Sequence, residues 1–323
     1  MAAHLPGNEP TVSLAHQVAT LRQRRSLLAV AALQFVACLV ISSASAPMPR
    51  IDGFIPAILA IVFVADLCTA VLLFGQSSLM QSWALFVLAN GYLFSALIVI
   101  PHALTFPGAF APQGLFGAGA QSSAWLNVFW NIGFIAAVGG FVLLKNSDHR
   151  NDAVPASTLS ALFCSMAVQI VLIGALTWAV TVGDWFMPHM FSDDVHYTPL
   201  VHYAAGTVVL LGVVVLLLMW IRLTSVLDLW VFVALCMLIT EKTLVLLGMT
   251  TRFSLGWYVS RALAVGVSIA VLVALLSELG KLHATRRALN AEPRSQPLRR
   301  RMPGDPAESA RASSASKPGS STA

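Results

Sequence analysis

Gly53-Phe-Ile-Pro-Ala-Ile-Leu-Ala-Ile-Val-Phe-Val-Ala-Asp-Leu-Cys-Thr-Ala-Val-Leu-Leu-Phe74 carries one charged side chain, Asp66, in its interior. Its length falls within the roughly 17–25 residues a helix needs to cross the hydrocarbon core of a bilayer. Seven more runs of this kind lie outward from it, at 26–45, 82–104, 124–144, 156–182, 201–221, 229–249 and 257–279. Each is bounded by polar or turn-forming residues, and Pro56 and Pro101 fall near span ends, where a helix tolerates proline. A lipid-exposed strand edge would leave backbone groups unpaired, so each run is predicted to be helical. The expected fold is an all-α membrane protein, a bundle of eight transmembrane helices.

Composition agrees. Of 323 residues, 57% are hydrophobic and 10% charged, against about 25% charged in a soluble domain. The mean hydropathy is +0.79. These values exclude a soluble two-domain protein and a largely disordered chain. The formal charge of +5 also excludes a strongly basic nucleic-acid binder. The basic residues orient the bundle. Arg22, Arg24, Arg25, Lys145, Arg150, Arg222, Lys281, Arg286 and Arg287 fall on one set of connections. Only Arg50 and Arg252 fall on the other, with Arg261 just inside the last span. By the positive-inside rule both termini are expected in the cytoplasm. Trp83, Trp220 and Trp230 then mark the inner interface, and Trp125, Trp185, Tyr197, Tyr203, Trp257 and Tyr258 the outer one.

The first span follows Arg24-Arg25 and ends near Ala44-Ser45-Ala46, which has the look of a signal-cleavage site. The run exceeds a usual signal core and Pro47 sits where cleavage would occur, so an uncleaved span is expected. Cys38, Cys68, Cys164 and Cys236 lie inside spans with no metal- or disulfide-like spacing, as small apolar packing residues do. The outer connection 105–123 has no charge, and with Phe106, Phe110, Leu115 and Phe116 it is expected to fold over the bundle mouth. Residues 291–323 are rich in Arg, Ser, Pro and Ala, the composition of a disordered tail and too short for a catalytic domain.

Ionisable groups inside a bilayer cost about 2.5–3.5 kcal/mol each on insertion scales, so each calls for a partner or a purpose. Asp66, Glu241, Lys242 and Arg261 are such groups. Counted at 1.5 Å per residue, Glu241 and Arg261 reach similar depth, so a contact from Glu241 to Arg261 or Lys242 is expected. It reads either as interhelical glue or as a polar switch. Asn127, Trp130 and Asn131 approach the level of Trp125, Trp257, Tyr258 and Arg261, next to His102 and the Phe106 loop. Aromatic walls with a few convergent polar groups suit a small-molecule site. The candidate signal-sensing residues are therefore His102, Phe106, Trp125, Asn127, Trp130, Asn131, Glu241, Trp257, Tyr258 and Arg261. Two weaker readings stand beside this one: a haem held by His102 and His202, and a cation held by Asp193, Asp194 and His196.

Five segments carry a family likeness. They are 66–76 (Asp-Leu-Cys-Thr-Ala-Val-Leu-Leu-Phe-Gly-Gln), 91–97 (Gly-Tyr-Leu-Phe-Ser-Ala-Leu), 101–110 (Pro-His-Ala-Leu-Thr-Phe-Pro-Gly-Ala-Phe), 121–130, and 252–261 (Arg-Phe-Ser-Leu-Gly-Trp-Tyr-Val-Ser-Arg). The chain resembles the fourth class of bacterial integral membrane-associated sensor domains, from about the first span to Leu282. The resemblance implies a sensory module of the type usually joined to a cytoplasmic diguanylate cyclase or histidine kinase. It supplies no agreed ligand, cofactor or catalytic residue. Trp130-Asn131 departs from the Trp-His often found in relatives, which weakens any case for a histidine site there.

The expected organisation is a cytoplasmic segment 1–25, an eight-helix sensor domain 26–282, and a short helical extension with a tail, 283–323. The expected function is non-enzymatic. A signal is perceived at the outer or intramembrane face of a bacterial inner-membrane protein and relayed through the last helix. With no output domain in the chain, the expected partners are the lipid bilayer, a second copy of the chain, or a separate cytoplasmic kinase or diguanylate cyclase. A small-molecule transporter and a haem-binding membrane redox protein are the alternatives.

Overall fold

A computed structural model describes residues 46–145, 158–193 and 195–291, with isolated helical positions between 21 and 39. The described chain is all-helical: α1 (Phe54–Met80), α2 (Trp83–Leu104), α3 (Ser122–Leu144), α4 (Thr158–Thr181), α5 (Pro199–Trp220), α6 (Val226–Gly248) and α7 (Leu255–Ala291). One short 3-10 turn, Asp184–Phe186, follows α4. All seven helices are long and apolar enough to cross a membrane. That is one fewer than the eight expected. The difference is the run 26–45, most of which lies outside the described residues, as do the loop 146–157 and the tail 292–323. The chain divides into two units, 1–280 and 281–323.

Helix ends follow local chemistry rather than hydropathy. α1 runs six residues past its expected end at Phe74, because Ser77 satisfies its hydroxyl on the Phe74 carbonyl at 2.9 Å without leaving the helix. It stops at Gln81, whose left-handed φ of 51° lets the Ser82 amide return to the Ser77 carbonyl at 3.1 Å. α6 starts three residues earlier than the apolar pattern does, at a capping box. The Ser225 hydroxyl accepts from the Asp228 amide at 3.1 Å, and Asp228 accepts from the Ser225 amide at 2.7 Å. Lys145, at the end of α3, closes on the same carboxylate and ties two helices at this end of the bundle.

The helices are not equivalent. Of their membrane-length windows, α2 is 67% buried and α6 72%, while α4 and α5 are each 17% buried. α2 and α6 therefore form the centre, and α4 and α5 present apolar side chains such as Val171, Phe163 and Leu217 outward. A soluble protein does not expose apolar surface on this scale. Close approach rests on small residues: Gly91 of α2 faces Ala137 of α3, and Gly212 of α5 faces Ile239 of α6.

The bundle has one loop-rich end. There 46–48, 190–193, 195–198 and 250–255 run against one another, with Met48 N–H to Phe253 O at 2.8 Å, Leu255 N–H to Ala46 O at 3.0 Å, and Arg252 N–H to Val195 O at 2.9 Å. Their bonds are isolated bridges, and no strand forms among the described residues. The uncharged loop only partly follows expectation. Phe106 is buried and stacks 6.2 Å from Trp257, whereas Phe110 and Phe116 are more than half exposed. Its turns need glycine at two points. Gly114 has φ +90° with the Thr105 carbonyl 2.4 Å from where a Cβ would stand, and Gly108 has φ +85° against Arg50.

Candidate functional site

Below the loops lies a cavity with about 680 Å³ of non-atom space, its mouth included, walled by α1, α2, α3, α5, α6, α7 and the segment that carries Met190, Phe191 and Tyr197. The segment is held in place by Gln121 at the start of α3. Its Oε1 accepts from the amides of Met190 (2.5 Å) and Phe191 (3.2 Å), so both side chains close over the cavity. Arg252 spans the same roof. Its guanidinium lies 3.7 Å from the Phe191 ring centroid and donates to the Ala120 carbonyl at 3.2 Å. Tyr197, half-buried, lines the cavity as well. Burial pushes its phenol above the ordinary value, and Arg252 and Arg261 pull the other way.

The deeper wall is polar. Lys242 on α6 donates to the carboxylate of its neighbour Glu241 at 2.8 Å and to Asn127 Oδ1 on α3 at 3.0 Å. Arg261 on α7 reaches the same Glu241 oxygen at 3.7 Å, with its guanidinium 5.8 Å from the Trp257 ring. Both contacts expected of Glu241 are thus present, and one carboxylate serves two cations. Consecutive residues of α6 face different spaces: Lys242 lines the upper cavity, and Glu241 lines a smaller one of about 330 Å³ beneath it. Asn131 borders both. In the lower space Asp66 accepts from the Ser95 hydroxyl, which in turn accepts from the Trp130 indole at 2.5 Å, and Ser268 of α7 lines the same space. Four buried atoms around this column have no hydrogen-bond partner: His102 Nδ1, Asn127 Nδ2, Arg261 Nε and Asp66 Oδ1.

Of the ten residues singled out in the sequence, His102, Phe106, Asn127, Asn131, Trp257 and Arg261 line the upper cavity. Trp130 and Glu241 line the lower one, again with Asn131. Trp125 and Tyr258 line neither. They are ties: the Trp125 indole donates to the Pro188 carbonyl at 3.2 Å, and the Tyr258 hydroxyl donates to the Pro49 carbonyl at 2.7 Å. Of the two histidines of the haem reading, His102 lines the cavity and His202 does not. In the acidic loop before α5, Asp193 is spent locally. Its carboxylate accepts from the amides of Val195 and His196 and pairs with the His196 ring at 2.7 Å. Those amides hold its pKa down at about 2. Asp194 lies outside the described residues.

Sequence reasoning left out Lys242, Arg252, Phe191, Tyr197 and Ser95. Lys242 carried a signal, being a charge in mid-span beside Glu241. Arg252 read only as a loop charge, and nothing in the outer connection marked Phe191 or Tyr197 as roof residues.

A family model described as membrane-associated sensor, integral membrane domain (MASE4) matches residues 49–283. The chain belongs to the MASE4 family. Searches of curated proteins and of solved structures returned no match. The matched range contains every residue of both cavities, so the polar column is part of the MASE4 domain itself. This MASE4 domain is a multi-pass membrane sensory module.

Proposed function

We propose that the upper cavity is where this sensor receives its signal, and that α7 carries the response. The observation behind this reading is the shared carboxylate. Glu241 holds Lys242, its own neighbour, at 2.8 Å, and holds Arg261 of α7 at the longer 3.7 Å. Anything that engages Arg261 from the cavity competes with that longer contact and changes how α7 sits against α6. Ser268, two turns along α7, lines the lower space together with Asp66 of α1, so the same helix borders a second polar cluster. A helix with two arrangements of this kind is a two-state element whose balance a ligand shifts.

The orientation that fits puts the loop-rich end outside and both termini in the cytoplasm of a bacterial inner membrane, with 26–45 as an eighth span. This rests on the excess of Lys and Arg on the opposite connections. The signal then arrives from the outer half, and residues 281–290 pass it to a cytoplasmic kinase or diguanylate cyclase.

Photo-crosslinkers placed along 281–290 in living cells test the relay. The expected result is capture of a kinase or cyclase. Capture of only a second copy of the chain would refute a relay to a separate partner.

A further inference from the structure

The upper cavity has a charge pattern that selects its occupant. Among the described residues its wall carries three cations, Lys242, Arg252 and Arg261, and no carboxylate. Glu241 stands behind Lys242, on the side of the lower space. Asp66 is in the lower space as well, hydrogen-bonded to Ser95. A buried cation needs a counter-charge or a full set of acceptors. Lys242 has both, with Glu241 and Asn127. Arg261 does not: among the described residues its one ionic contact is 3.7 Å long, and its buried Nε–H has no acceptor.

The orphaned groups point the same way. Asn127 Nδ2 and Arg261 Nε are donors only, and His102 Nδ1, on a side chain 4% exposed, donates in one of its tautomers. All three residues line this one cavity. Unmade donors gathered on a cationic wall describe the complement of an oxyanion with several acceptor lone pairs. Apart from Ser123 and Asn131 the rest of the lining is apolar or aromatic, with the Trp257 and Phe106 ring centroids 6.2 Å apart and Val245 and Ile55 also in the wall. A fully hydrated inorganic anion has nothing to match those walls, whereas an organic anion does.

We infer that the upper cavity binds a small organic carboxylate with an aromatic or apolar body, its carboxylate on Arg261 and Asn127 and its body against Trp257. This rests on the reading of the cavity as the sensor's receiving site. An arriving carboxylate gives Arg261 the acceptors it lacks and so draws it from Glu241.

Benzoate, benzamide and benzylammonium are suitable probes, since they share a ring and differ in charge. The full-length protein is placed in lipid nanodiscs and titrated with each, following tryptophan fluorescence and thermal unfolding. Benzoate is expected to bind saturably, benzamide about tenfold or more weakly, and benzylammonium more weakly still. Arg261→Gln is expected to abolish the difference between benzoate and benzamide. Asn127→Asp is the second variant, because its carboxylate keeps the Lys242 partner while replacing a donor with a negative charge where the ligand's carboxylate would sit. It is expected to remain folded and to lose benzoate. Equal binding of benzoate and benzamide, no saturable benzoate binding at millimolar concentration, or undiminished benzoate binding in Asn127→Asp would overturn the carboxylate assignment. None of these touches the relay, which fails separately if crosslinkers on 281–290 capture no signalling partner.

Discussion

Glu241→Gln is expected to destabilise the bundle by about 3–5 kcal/mol, the usual cost of removing one partner from a buried ion pair. The substitution keeps volume and shape, so the loss reports charge alone. Glu241 is 3% exposed at its side chain and Lys242 5%, and glutamine leaves Lys242 with neutral acceptors only. Arg261 loses its one ionic contact at the same time. Combining Glu241→Gln with Lys242→Met removes the stranded ammonium and is expected to recover much of the loss, because a buried pair replaced by apolar groups is often nearly neutral. Reversible denaturant unfolding in mixed micelles measures both. A double variant no more stable than Glu241→Gln would show that the cost lies in packing rather than charge.

Gly91→Ala is expected to cost about 1–3 kcal/mol, the range for a methyl forced into a filled interface. A Cβ at position 91 would stand 2.4 Å from the Ala137 Cβ. That neighbour is fixed to its backbone and has no rotamer to turn away, so α2 and α3 must separate. The double variant Gly91→Ala with Ala137→Gly moves the methyl across the interface and is expected to restore most of the stability. Gly75→Ala is the control, because nothing lies within 4 Å of its added Cβ, and it is expected to be neutral or to gain up to about 1 kcal/mol from alanine's better helix propensity. A loss at position 75 equal to that at position 91 would mean that close approach does not set the cost.

The spans were legible because crossing a bilayer needs a long apolar run, and 53–74 announces itself as one. Their arrangement was not. α4 and α6 have hydropathies of 2.2 and 2.0, nearly the same, yet α6 is at the centre and α4 at the rim. Apolar side chains suit lipid and a protein interior equally, so only the charges Glu241 and Lys242 marked α6 as the inner helix. Aromatic residues were ambiguous for a related reason. Trp257 walls the cavity, while Tyr258 beside it ties α7 to the Pro49 carbonyl, and adjacent positions on a helix point about 100° apart. The roof formed by Phe191, Tyr197 and Arg252 depends on pairing between distant loops, which has no period to read.

Distance measurement between spin labels across the other end of the bundle tests the claim that the Glu241–Arg261 contact sets the packing of α7. Leu79 at the end of α1 and Leu276 on α7 are both exposed, 79% and 51%, and neither lines a cavity, so each takes a label without disturbing the site. Labels are attached to Leu79→Cys and Leu276→Cys in a chain whose native cysteines are replaced by alanine. Removing the contact with Arg261→Ala is expected to shift the label-to-label distribution or redistribute its populations in nanodiscs. Superimposable distributions with and without Arg261 would contradict the coupling of the cavity to the last helix.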